Sequence, residues 1–148
     1  MRVEREVVLP VAPDRAWEVL TDWERQARWM RDADRVEVTS VARSGPGTTL
    51  AVRTRVLSVP LFTERLEVIG WDPPRALRIA HRSFIRGTGV WRLEPAGTGT
   101  RFRWIEDLSL PVPIVGELAL RIYRPVMRRL MGGAMEDLRE LVLSGTRP

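Results

Sequence analysis

The feature that most constrains this chain is the order of its hydrophobic patterns. One alternating segment is followed by a tryptophan-rich helical stretch, then six further alternating segments, then a long amphipathic helix. Alternation with period two marks a strand with one buried face, whereas recurrence at three and four marks a helix with one apolar stripe. Consecutive strands joined by short turns pair antiparallel as a meander, and the resulting sheet has a face to bury. A single helix laid across a curled sheet covers that face only in part. The pattern therefore predicts an apolar cavity between sheet and helix, a setting in which small molecules bind.

The segments are bounded by recognisable punctuation. Residues 3–11 alternate Val3, Arg5, Val7, Leu9 and Val11 against Arg2, Glu4, Glu6 and Val8. Pro13 stands at a helix N1 position, and residues 13–21 read as a short helix with Ala16, Trp17, Val19 and Leu20 on one side. Asp22 is placed to cap a second short helix holding Trp23, Ala27, Trp29 and Met30. The six further strands are predicted at 36–43, 49–59, 61–71, 75–83, 88–94 and 100–110, separated by Gly- and Pro-containing turns. Residues 115–143 form the final helix, with an apolar stripe of Leu118, Ile122, Val126, Leu130, Ala134, Leu138 and Leu141. Pro125 is expected to kink or split it, and Gly132-Gly133 to weaken it. The tail, residues 144–148, reads as frayed.

The length of 148 residues fits one domain, 1–148, with a core of ordinary size. There is no cysteine and a single histidine, so disulfides, thiolate chemistry and a histidine metal site are not expected, and neither is a cofactor. The first residues alternate in charge without an apolar run, and no segment approaches the length of a membrane span. The chain reads as cytoplasmic, with a hydrophobic small molecule as its partner and no nucleic acid. All 24 basic residues are arginine and the net charge is +5. Their spread along the whole chain reads as codon composition rather than as selection for phosphate binding. Oligomeric state leaves no mark in the sequence.

The run Val11-Ala12-Pro13-Asp14-Arg15-Ala16-Trp17-Glu18-Val19-Leu20-Thr21-Asp22-Trp23, followed by Trp29, resembles the START/Bet v1-like superfamily. It is most similar to the small bacterial proteins of polyketide cyclase/dehydrase type. The strand Gly99-Thr100-Arg101-Phe102-Arg103-Trp104 and the helix Tyr123-Arg124-Pro125-Val126-Met127-Arg128-Arg129-Leu130 carry the same likeness. The resemblance implies an α+β helix-grip fold: a seven-stranded curled antiparallel sheet, two short helices after the first strand, and a long C-terminal helix over the concave face. The family includes lipid and quinone carriers, cyclases, plant ligand binders and antitoxin-like proteins, and fold alone does not choose among them.

Alternation assigns the inner face. Val52, Val56, Phe62, Leu66, Ile79, Trp91 and Trp104 fall on it, and with Leu118, Ile122 and Val126 of the helix they are the predicted ligand wall. Trp29, Met30 and the apolar tips Val59-Pro60-Leu61 and Phe84-Ile85 are placed near the cavity mouth. Glu64, Glu106 and the single His81 share this apolar face. The turns suggest Leu66 opposite His81, His81 opposite Gly89, and Gly89 opposite Glu106, so that His81 and Glu106 meet where Gly89 has no side chain. Such a trio is a general acid or base for a carbonyl-bearing ligand, with His81 as base in a cyclase or dehydratase. Otherwise it hydrogen-bonds a polar head, or is an ion pair joined by Arg53 or Arg82. On the outer face the same register aligns Arg78, Arg92 and Arg103, a row that suits an interaction protein with an anionic partner. No phosphate loop is present, since Gly87-Thr88-Gly89 precedes no helix, and Ser83 lies in no nucleophile elbow.

Overall fold

The computed structural model describes residues 1–144; the rest of the expected frayed tail lies outside the described residues. Seven strands form one antiparallel sheet: β1 (Arg2–Leu9), β2 (Ala33–Val38), β3 (Thr49–Val56), β4 (Val59–Asp72), β5 (Ala76–Arg82), β6 (Arg86–Ala96) and β7 (Gly99–Ser109). Their order is β1-β7-β6-β5-β4-β3-β2, so the first strand closes against the last and the meander runs back to the far edge. Between β1 and β2 lie helix α1 (Pro13–Leu20) and a 3-10 helix (Trp23–Arg28); helix α2 (Val115–Ser144) ends the described chain. This is the helix-grip arrangement.

Most strand boundaries shift by a few residues from the sequence reading. The largest shift is at β2, read as 36–43 and observed at Ala33–Val38; a smaller one is at the β3–β4 hairpin, expected to turn at Pro60. It turns instead at Leu57 and Ser58, both with positive φ (50° and 69°). A two-residue hairpin needs that backbone, which Asn or Gly usually supplies, so Leu-Ser gives no sequence signal. Pro60 enters β4 opposite Arg55, beside a break in register. The second short helix is 3-10, and Asp22 at its N-terminus makes no capping hydrogen bond. It faces Arg25 at 3.5 Å instead.

Helix α2 runs unbroken through Pro125. A proline removes one N–H and leaves the carbonyl of Arg121 without its helical donor. Both residues are exposed, so water can replace that bond. Gly132 and Gly133 serve packing: a Cβ at Gly132 would lie 2.6 Å from the Arg5 guanidinium, and one at Gly133 would lie 2.4 Å from that of Arg31. Arg31 then reaches Asp137 one turn on, at 2.9 Å.

The expected stripe on α2 is correct only in its second half. Leu130, Ala134 and Leu138 face inward, but Leu118 and Ile122 are exposed, at 55% and 70%. Steps of four overshoot a turn of 3.6 residues by about 40°, so a row begun at Leu118 has rotated by about 160° at Ala134. The inner face instead follows Gly116, Leu120, Tyr123, Met127, Met131, Ala134, Leu138 and Val142, mixing steps of three and four.

The core lies between α2, β1, β7 and the helical insert. Trp29, expected near the cavity mouth, is buried there, its ring centroid 5.8 Å from that of Trp91 and 6.0 Å from that of Trp104. Trp17 packs edge-on against Trp71 at 5.1 Å. Such tilted aromatic contacts add about 0.5–1.5 kcal/mol each beyond the burial of area.

Candidate functional site

Under the N-terminal half of α2 the inner face is not filled. A cavity of about 640 Å³ opens between sheet and helix, within the range of small-molecule sites. Seven predicted wall residues line it: Val52, Val56, Phe62, Leu66, Ile79, Trp91 and Trp104. The three taken from the helix do not. Leu118, Ile122 and Val126 lie off the cavity, and Leu120, Tyr123 and Met127 stand where they were expected. A stripe counted back from the buried Leu138 at 3.6 residues per turn passes close to all three. Met30, Phe84 and Ile85 reach the cavity, while Val59, Pro60 and Leu61 do not.

One part of the wall is polar. His81 on β5 places Nδ1 3.2 Å from Glu64 Oε1 on β4 and Nε2 3.0 Å from Glu106 Oε2 on β7. The remaining carboxylate oxygens are also bonded: Thr54 Oγ1 donates to Glu64 Oε2 at 3.1 Å, and Trp104 Nε1 donates to Glu106 Oε1 at 2.8 Å. Arg82, one expected partner of the trio, pairs with Glu67 on the other face, and no hydrogen bond or ion pair joins Arg53 to it.

The trio meets through a register different from the expected one. His81 lies opposite Gly87, two residues from Gly89, while Gly89 does lie opposite Glu106. The β5–β6 turn is the short Ser83-Phe84-Ile85, and β6 starts earlier than its sequence suggests. A shift of two preserves faces, so all three residues still point inward. Gly87 and Gly89 are consecutive inward positions on β6, and together they leave the aisle that His81 crosses. A Cβ on Gly89 would lie 2.9 Å from Glu106 Oε1.

The same shift breaks the outer arginine row. Arg92 faces Arg103, but Arg78 faces Val90. Arg103 lies 3.2 Å from Glu4 and 3.5 Å from Glu6, so β1 neutralises much of that face.

The charge state of the trio follows from its bonds. Burial by itself lowers the pKa of His81, but the hydrogen bonds and charges of Glu106 and Glu64 outweigh it, and the pKa rises to about 10. At neutral pH the ring is an imidazolium with each N–H donated to a carboxylate. Neither nitrogen then keeps a lone pair for a substrate proton, which removes the chemistry of a general base while the trio is intact.

Sequence reasoning missed a third acid. Asp32, in the link between the 3-10 helix and β2, also lines the cavity. Burial and the charge of Glu64 raise its pKa to about 6. Its segment, Arg31-Asp32-Ala33-Asp34, has no periodicity and gave no signal. Tyr123 lines the cavity too, and burial with the nearby Asp32 and Glu64 charges raises its pKa, so it remains a neutral phenol. Among the described residues no group of acids and histidines has the arrangement of a metal site, and no helix is long and apolar enough to cross a membrane.

Comparison with known proteins agrees with this geometry. The family model described as "Polyketide cyclase / dehydrase and lipid transport" matches residues 1–142. No curated protein matches the sequence. The fold is similar to that of TTHA0849 from Thermus thermophilus, with a TM-score of 0.81 and 24% identity over 99% of this chain and 100% of that one. A START superfamily protein from Mycobacterium smegmatis has a TM-score of 0.70 at 14% identity, over 97% of this chain and 94% of its own. The Zhui aromatase/cyclase from Streptomyces sp. R1128 has a TM-score of 0.71 at 18% identity, over 98% and 92%. At these identities the likeness is one of fold.

Proposed function

The chain belongs to the polyketide cyclase / dehydrase and lipid transport family, and from that premise we propose that it binds one hydrophobic small molecule of polyketide, lipid or quinone type between sheet and C-terminal helix. The observation that carries this reading is the cavity of about 640 Å³. Its wall is apolar apart from a few convergent polar groups, the usual composition of a ligand site. Phe62, Leu66, Ile79, Trp91, Trp104 and Met127 supply the apolar part. Trp91 and Trp104 offer edges and faces to a flat ligand, their own rings standing 6.4 Å apart at 85°.

Binding is favoured over turnover because the trio is hydrogen-bonded within itself. Its four carboxylate oxygens and two ring nitrogens are all engaged. A reaction that used His81 as base would first have to break charge-assisted bonds worth about 1.5–3 kcal/mol each.

Native mass spectrometry of the protein purified from its own host tests the proposal. A co-purified hydrophobic mass that is lost on denaturation supports it. A clean apo mass, together with no thermal shift across a panel of lipids and aromatic polyketides, overturns it, since a ligand that binds only the folded state must raise its stability.

A further inference from the structure

The cavity carries more acid than base, an unexpected balance for a chain this basic. All 24 of its basic residues are arginine, yet none of the described residues lining the cavity is an arginine. Three carboxylates line it: Asp32, Glu64 and Glu106. The cationic side chain among them, His81, is shared between Glu64 and Glu106. Met1 also lines the cavity, and its ammonium donates to the Leu108 carbonyl at 2.8 Å.

Two of the acids are therefore satisfied by side chains and the third is not. Each oxygen of Glu64 and Glu106 accepts a hydrogen bond from His81, Thr54 or Trp104. Asp32 is met by its own backbone N–H, and among the described residues no side chain donates to it. The Glu64 and Glu106 charges act against its ionisation more than His81 relieves it. An ionised carboxylate in an apolar wall without a counter-charge is unfavourable, so the site favours an added positive charge. Tyr123 and the two tryptophans add π-faces, which attract cations.

Resting on the reading of the cavity as a ligand site, we propose that its ligand is a cationic amphiphile, an apolar body ending in a protonated amine whose ammonium pairs with Asp32. The body lies against Phe62, Ile79, Trp91, Trp104 and Met127. The ammonium donates to the Asp32 carboxylate, a charge-assisted bond of the strong kind. The excess of acid disfavours a fatty-acid carboxylate or a phosphate, which would meet three acids against one shared imidazolium and one N-terminal ammonium, and no arginine. Selection is thus by attraction of the right charge and rejection of the wrong one.

The test uses three probes that share a ten-carbon chain: decylamine, decanol and decanoate. Each is titrated at pH 8, below its critical micelle concentration, and followed by tryptophan fluorescence and thermal shift. Decylamine is expected to bind at least about tenfold tighter than decanol, which is the affinity of one modest extra interaction, and decanoate is expected to bind more weakly than decanol. Asp32→Asn, nearly the same in size, should bring decylamine close to decanol and leave decanol unchanged. Wild-type protein at pH 5 provides a second reading without mutation: with Asp32 protonated, the amine preference should shrink.

Equal or tighter binding of decanol or decanoate in the wild type overturns the inference and leaves the ligand-site reading intact. So does an amine preference that survives both Asp32→Asn and pH 5. Failure of all three probes to bind overturns both.

Discussion

From Met131 onward, α2 presses Ala134, Met135, Leu138 and Val142 into the core, each at most 2% exposed. Before Met131 the same helix holds Leu120, Tyr123 and Met127 over open space, while Leu118 and Ile122 face outward. The two halves belong to one continuous helix over one sheet. They differ in what lies beneath them. Under the C-terminal half, the sheet and the helical insert bring Leu9, Phe102 and Trp29 up to the helix side of the core. Under the N-terminal half lie Glu64, His81 and Glu106, with two glycines between them. Side chains that hydrogen-bond one another along the sheet do not rise to meet a helix. The cavity thus lies over a polar patch that satisfies itself within an otherwise apolar wall.

The largest effect should come from the packed half. Leu138→Ala, at a fully buried site, is expected to lower unfolding free energy by about 2–5 kcal/mol, whereas Met127→Ala should lower it by under about 1 kcal/mol, because its neighbour is already a void. Urea unfolding of both variants measures this. Equal losses would mean the helix is packed alike along its length and the cavity is collapsed in solution.

Gly89→Ala attacks the floor directly. Its Cβ would sit 2.9 Å from one Glu106 oxygen and 3.0 Å from the other, so the carboxylate must swing away from His81 and Trp104. A loss of about 1–3 kcal/mol is expected, the cost of a buried charged group left unsatisfied. Wild-type stability here would show that the trio contributes nothing to holding the floor.

The pH dependence of stability above neutrality reports on the cavity half, where His81 sits. The His81 pKa is raised on folding, from 6.5 to about 10. The folded state therefore holds the proton more tightly, and the stability this gives is fully present below pH 6.5 and lost as pH rises toward 10. The Asp32 pKa, raised from 3.8 to about 6, acts in the same sense at lower pH and has finished titrating by neutrality. Between pH 7 and 10 the expected fall is at most about 1.4 kcal/mol per pH unit. Denaturant midpoints at each pH should show it in the wild type and not in His81→Gln; a flat wild-type profile would remove the imidazolium from the account.

The smallest effect is expected outside the cavity. Leu118→Gln and Ile122→Gln change exposed side chains and should move stability by no more than about 0.5 kcal/mol, with ligand binding unaltered. A drop in ligand affinity would return these residues to the wall from which the helix geometry removes them.

Much of the architecture is legible in the sequence because period-two alternation is a local property. Each strand carries its own record of which residues face in, so Glu64, His81 and Glu106 could be assigned to one apolar face without knowing how the strands pair. Register is not local. The β5–β6 offset is set by where a short turn closes, and it puts His81 opposite Gly87 rather than Gly89. It also takes Arg78 out of the arginine row, without changing any face. Helical phase is less forgiving, because a counting error accumulates along the chain; a stripe in steps of four meets the inner face in the last turns of α2 and the outer face in the first.

What the sequence determined by itself was therefore parity: seven strands, their inner faces, and the three polar residues among the apolar ones. What only the tertiary structure decided was proximity. Asp32 lies in an aperiodic link, and it becomes a member of the site because the 3-10 helix delivers that link to the cavity wall across the sheet from His81. No property of its neighbours in sequence encodes that meeting. The desolvation and the Glu64 charge that raise its pKa come from elements distant along the chain, and they act on it only once the fold has brought them together.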